Sequence, residues 1–251
     1  MIDLNSDLGE GFAVYELGDD DAILNVVTSA NIACGFHGGD PRVMARTTAR
    51  AAERGVVIGA HVSYPDRAGF GRRYMDIAPE ELKWDVVYQM GALVGTARTA
   101  DARVRYVKPH GALYNRIAVD EAQARAVVDA IVAYDRSLAL LTLPGSVIQA
   151  VAEDAGLTAV TECFADRAYT SDGHLVSRSQ PGAVLHDERE VVARAVEMAT
   201  TGSVTSIDGE KVNVGARSIC LHGDTPGAGL LAKKIRAGLE EVGVSVEPFA
   251  G

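Results

Sequence analysis

Val104-Arg-Tyr-Val-Lys108-Pro-His110-Gly111 is an apolar run that stops abruptly in a cation, an imidazole and a turn. Runs rich in Val, Ile and Tyr read as strands, and Pro and Gly punctuate them. The same grammar recurs on both sides of this stretch. Ile2-Asp-Leu runs into Asn5-Ser-Asp7-Leu-Gly-Glu10-Gly11, and Val27-Thr-Ser-Ala reaches Asn31 and then Cys34-Gly-Phe-His37-Gly-Gly-Asp40. Val56-Val-Ile-Gly-Ala reaches His61, and Ala159-Val-Thr reaches Glu162 and then Asp166-Arg167. Ser218-Ile-Cys-Leu reaches His222-Gly-Asp224. Runs that all end in Asp, Glu, His, Asn or Lys describe one pocket at one end of a parallel sheet or barrel, because ligands bind at the carboxyl ends of strands in such folds.

Helical sequence fills the gaps. Residues 19–27 read as a short helix with acids at its start. Asp40-Pro41 caps and opens a second helix that ends near Gly55. Ala78-Pro79 opens a third, in which Leu82, Val86, Met90, Leu93 and Val94 keep the 3.6-residue period. Residues 120–134, 147–155, 188–200 and 229–242 complete the set, and a short apolar run at 138–143 adds a strand. Seven strands are expected, with an eighth at 244–246. This alternation predicts an α/β fold: a TIM-barrel-like (β/α) barrel with seven or eight parallel strands, forming a single domain over 1–251. An open doubly wound sheet is the alternative. The rhythm breaks at 72–77, part of a long loop after the third strand. It breaks again at 167–187 and 202–216, where a small hairpin near the pocket is expected.

The totals exclude several classes. A net charge of −10 argues against a nucleic-acid partner, which needs clustered Lys and Arg. No basic segment followed by an apolar one opens the sequence, and no apolar run approaches ~20 residues, so a cytoplasmic protein with no membrane span is expected. Three cysteines without CxxC spacing read as reduced thiols serving as small core residues.

Each polar cluster carries a functional and a bland reading. Asp7 and Glu10 stand on a Gly-rich turn, suited to metal ligation or acid–base work, although Asp and Gly also simply favour turns. His37, His61, His110 and His222 all fall at strand ends. Neutral imidazole hydrogen bonding and proton transfer is the leading reading. Metal ligation needs convergence in space, since no HxH or HxxxH spacing is present. Lys108 suits a carboxylate or phosphate, or else pairs with an acid in the barrel mouth. Arg167 suits bidentate capture of a carboxylate, or else braces its loop through Asp166. Gly69-Phe-Gly-Arg72-Arg73 suggests a lid with two cations, or a solvated basic turn. Neither Gly9-Glu-Gly11 nor Gly69-Phe-Gly71 extends to GxGxxG, and no GxxxxGK[ST] string occurs.

The strings IDLNSDLGEGF (2–12), SANIACGFHGGDP (29–41), GAH (59–61), YPDRAGFGRR (64–73), KPHGALYN (108–115), ECFADRAY (162–169) and CLHGDTPGA (220–228) resemble, in order, those of the LamB/YcsF family, the 5-oxoprolinase A subunits. Some positions depart from the family pattern. Ser6 stands where Cys is usual, Val62-Ser63 where Pro-Gly is common, and Thr225 where Asn is usual. Gly227 and Gly229 lie near the family's His and Val. The resemblance implies a TIM-barrel-like fold and ATP-dependent opening of 5-oxo-L-proline to L-glutamate together with subunits B and C. ATP is then a co-substrate bound by a partner, in keeping with the missing nucleotide loop.

On this reading the candidate catalytic residues are Asp7, Glu10, His61, His110, Asp166 and His222. The candidate substrate-binding residues are Asn31, His37, Lys108, Arg167 and Asp224. A divalent metal stays open, with no ligands assigned. Two rivals remain: a stand-alone metal-dependent hydrolase or deacetylase, and a non-catalytic lactam-binding subunit.

Overall fold

The computed structural model describes residues 1–177, 180–221 and 227–251. Its elements run β1 (Asp3–Leu8), α1 (Asp20–Leu24), β2 (Ser29–Ala33), α2 (Pro41–Glu53), β3 (Val57–Val62), α3 (Pro79–Thr99), β4 (Val104–Pro109), α4 (Gly111–Ile117) and α5 (Glu121–Tyr134). They continue with β5 (Ala139–Thr142), α6 (Val147–Asp154), β6 (Ala159–Phe164), α7 (Glu188–Thr201), β7 (Ser203–Thr205), β8 (Lys211–Asn213), β9 (Ser218–Leu221) and α8 (Ala228–Glu241).

β1, β2, β3, β4, β5, β6 and β9 pair in parallel, in that order, and β9 pairs back onto β1. The sheet is therefore a closed barrel of seven strands with helices around it, not an open doubly wound sheet. The expected eighth strand contributes only an isolated parallel bridge between Ile2 and Val246. Closure removes the unpaired edges that an open sheet would expose.

Local chemistry explains most helix starts. Asp40 accepts from the amides of Arg42 and Val43 ahead of Pro41, Asp120 caps α5, and Asp187 accepts from the amides of Arg189 and Glu190. α4 is the helix the sequence concealed: it starts at Gly111, directly after His110, where Pro and Gly read as a turn. The hairpin β7–β8 forms from 203–213 alone. The preceding stretch supplies Leu175, Val176 and Ser177 to the pocket wall. Gly229 has a packing reason: a Cβ there would lie 2.7 Å from the Cβ of Ala22, so glycine lets α8 approach α1.

Alternation divides the strands. Leu4, Leu8, Ile32, Ile58 and Val62 pack outward in the core against the helices. Asp3, Asn5 and Asp7 of β1 point into the barrel, where they meet side chains from β2, β3, β4, β6 and β9. The interior thus carries a polar column beneath the carboxyl ends of the strands, beside an apolar cluster of Tyr106, Ala139, Leu141 and Val160. Among the described residues no helix is long and apolar enough to cross a membrane.

Candidate active site

Strand register sets the height of each group in the barrel. Asp7 is level with Asn31, Asn31 with Gly59, Ala33 with His61, and His61 with Lys108. Asn5 lies one layer deeper. Its amide donates to Glu162 (3.1 Å) and Ser218 (2.7 Å), and its Oδ1 accepts from Asn31 (2.7 Å). Asn31 also donates to Asp7 (2.8 Å) and accepts from the Tyr106 hydroxyl (2.6 Å). A buried polar network of this kind is tolerable only when its members are satisfied.

Lys108 stands at the centre. Its Nζ lies 3.0 Å from Asp7 Oδ1, 3.1 Å from Glu162 Oε2, 3.2 Å from Asn5 Oδ1 and 3.0 Å from Cys220 Sγ. Burial alone would lower the ammonium pKa, but Asp7, Cys220 and Glu162 raise it well above the usual range. Burial would likewise raise the Asp7 carboxyl, yet His61 and Lys108 hold it well below its ordinary value. Asp7 is therefore a carboxylate at neutral pH.

Above this layer, three imidazoles and a carboxylate converge. His61 Nε2 lies 3.3 Å from Asp7 Oδ2 and 2.9 Å from His110 Nδ1, and His37 Nε2 lies 3.0 Å from Glu10 Oε1. One ligand atom from each of Glu10, His37, His61 and His110 falls within 4.8 Å of the others, and all four residues are buried. His37 stacks on His110 with ring centroids 3.8 Å apart, and Phe70 closes over both edge-on. Burial, reinforced by the adjacent imidazoles, lowers His37 and His110 well below the usual histidine range. The loop after β3 is fitted tightly here. Gly71 has φ +65°, and a Cβ on it would lie 2.4 Å from Ser63 Oγ and 2.8 Å from both His37 and His110.

A hollow of about 620 Å³ opens over this floor. Asp7, His61, Lys108 and His110 line it, with Arg72 and Arg167 on its walls. The structure thus brings together seven of the eleven candidates: Asp7, Glu10, Asn31, His37, His61, Lys108 and His110. Arg167 reaches the hollow while its guanidinium also donates to the carbonyls of Ala183 (3.2 Å) and Val176 (2.6 Å), so bracing and lining coexist. Asp166 lines a smaller hollow of about 110 Å³ with Leu185, Cys220 and Leu231. His222 and Asp224 lie outside the described residues.

From sequence, Asn5 and Glu162 read as strand-end residues of the pocket but, like Cys220, receive no catalytic or binding role. The period-2 spacing of Asp3, Asn5 and Asp7 was the available signal, since three polar residues on one strand face need a polar interior. All three cysteines are buried, as expected, and Cys220 both packs with Tyr114 and Phe164 and faces Lys108 at 3.0 Å. Of the departures from the family pattern, Ser6 turns outward and donates to the Leu221 carbonyl at 2.6 Å. The Ser63 amide is held by Gln89 at 2.8 Å.

The LamB/YcsF family model matches residues 2–251. The chain belongs to the LamB/YcsF family. Among LamB/YcsF relatives, the 5-oxoprolinase A subunit of Streptomyces avermitilis is 59% identical over 250 residues, with both chains fully covered. That of Kocuria rhizophila is 56% identical over 250 residues, covering 100% of this chain and 99% of the relative. The word "subunit" in those names implies that these relatives work beside other chains. The crystal structure of the lactam utilization protein from Thermus thermophilus is 43% identical and superposes with a TM-score of 0.95, covering 99% of each chain.

Proposed function

We propose that this chain is the A subunit of an ATP-dependent 5-oxoprolinase, which hydrolyses 5-oxo-L-proline to L-glutamate in the cytoplasm together with subunits B and C. The observation that carries the reading is the placement of Asp7. A carboxylate held ionised by His61 and Lys108 faces a hollow walled by guanidinium groups. The names of the relatives supply the substrate class.

A lactam carbonyl is a poor electrophile. A partner that transfers the γ-phosphoryl group of ATP to the lactam oxygen converts it into a better one and releases ADP. The chain has no GxxxxGK[ST] string, in keeping with an ATP site on the partner. Asp7 then accepts a proton from water as the water oxygen bonds to C5. The same carboxyl returns the proton to the ring nitrogen as the C5–N bond breaks, leaving an acyl phosphate. A second water cleaves that mixed anhydride to L-glutamate and inorganic phosphate. Lys108 already faces two carboxylates, so the substrate carboxylate falls to Arg167 and Arg72 on the wall, where a planar guanidinium suits bidentate capture.

The test is glutamate release from 5-oxoproline and ATP, with this chain by itself and with each partner added. Activity is expected only in the complete set, and Asp7→Asn is expected to abolish it. ATP-independent hydrolysis by this chain alone would favour a stand-alone hydrolase. Full activity of Asp7→Asn in the reconstituted complex would sink the assignment.

A further inference from the structure

The hydrogen bonds around His61 and His110 place one N–H of each ring. His61 Nδ1 lies 2.9 Å from the carbonyl of Lys108, and His110 Nε2 lies 2.9 Å from the carbonyl of Phe70. A carbonyl only accepts, so each ring spends its N–H on that contact. When both rings are neutral, the remaining nitrogens, His61 Nε2 and His110 Nδ1, turn lone pairs toward each other across 2.9 Å. Glu10 Oε1 adds a third electron-rich atom, 3.5 Å from His110 Nδ1 and 3.9 Å from His61 Nε2. Three buried electron-rich atoms aimed at one point repel unless a proton or a metal ion lies among them.

We propose that Glu10, His61 and His110 bind one divalent transition-metal ion of the zinc class, with Asp7 beside the coordination position that opens to the hollow. The geometry fits. Tetrahedral bonds of 2.0–2.1 Å place neighbouring ligand atoms about 3.3 Å apart, and the three separations here span 2.9 to 3.9 Å. The chemistry fits as well. Two imidazoles and one carboxylate, with a fourth position open, form a donor set that zinc takes at hydrolytic sites. Each imidazole carries the backbone-carbonyl partner that commonly orients a metal-bound histidine. His37 has a supporting part, since its Nε2 at 3.0 Å donates to Glu10 and aims that carboxylate. Asp7 Oδ2, 3.3 Å from His61 Nε2, stands where it can accept from a metal-bound water. The inference is independent of which lactam the hollow takes.

The test is metal content, not turnover. The full chain is purified without chelator, stripped with a strong chelator, and titrated with Zn²⁺ and Co²⁺ by calorimetry and visible absorption. One equivalent per chain is expected, with a Co²⁺ spectrum of a four- or five-coordinate nitrogen–oxygen site. Glu10→Gln and His110→Ala are expected to weaken binding on the order of 100-fold or more. His174→Ala, at an exposed histidine away from the cluster, is expected to leave it unchanged. Folded wild-type protein that takes up no stoichiometric metal, with a single proton shared between His61 and His110 by nitrogen NMR, overturns the proposal. So does binding that survives both ligand substitutions. Neither outcome bears on ATP-dependent glutamate release, so the two proposals fail separately.

Discussion

The ring of Tyr106 occupies the space that a side chain at Gly59 would need: a Cβ there would lie 2.2 Å from two ring carbons. Glycine on β3 is thus the counterpart of a tyrosine on β4, and the ring crosses over β3 to donate its hydroxyl to Asn31 on β2. Gly59→Ala is expected to destabilise the protein by about 1–3 kcal/mol through overpacking. Adding Tyr106→Leu is expected to recover part of that loss, because contacting residues do not act additively. Chemical denaturation of the two single variants and the double variant measures the coupling. Strict additivity would count against the contact.

Lys108 is the cation that bridges Asp7 and Glu162. Lys108→Met leaves two carboxylates in the barrel without it, a change expected to cost roughly 3–5 kcal/mol at neutral pH. The sign of the pH dependence follows from Asp7. Its carboxyl is held low in the folded state, so it stabilises the fold above the ordinary carboxylate range and loses that contribution as pH falls. The gap between wild type and Lys108→Met should therefore narrow toward acid. Urea midpoints at several pH values check this.

Asp3 behaves in the opposite sense. Burial pushes its carboxyl up to about 6, against hydrogen bonds from Ser218, Ser29 and Thr28 that favour the charged form. Protonated Asp3 is preferred in the fold, so its contribution is complete below the unfolded-state value and is lost as pH rises through about 6. The change amounts to about 3 kcal/mol. Asp3→Asn should flatten the stability profile between acid and neutral pH, and an unaltered profile would show that Asp3 does not ionise in this window.

Gly71→Ala would force a strained backbone and push a methyl group into Ser63, His37 and His110. Turnover of the reconstituted complex is expected to drop roughly 100-fold from small displacements of the imidazoles. The far-UV circular dichroism should stay that of the wild type, because the barrel itself is untouched.

The barrel was legible because its signals are local. Apolar runs, Asp caps and Pro at first helical turns fall where the elements begin, and polar strand ends fall where the site lies. Two kinds of information were not local. Which strand-end residues meet depends on register and closure: nothing in Ala159-Val-Thr-Glu162 says that Glu162 will lie 3.1 Å from Lys108. Which hollow a strand-end side chain lines is the other: Asp166 lines a smaller hollow although it sits beside Arg167. α4 was missed because Lys108-Pro-His-Gly111 has turn composition, and the helix begins at the glycine itself, with φ +58°.

The Gly71 carbonyl accepts the amide of Ala112, and the Phe70 carbonyl holds the ring of His110. The segment after β3 and the first turn of α4 are therefore clasped together, with no side chain between Gly71 and Gly111 to act as a cushion. Mechanically, residues 67–72 are a handle on the imidazoles. A neighbouring chain that gripped only this outer rim would still tune the geometry at the floor of the hollow.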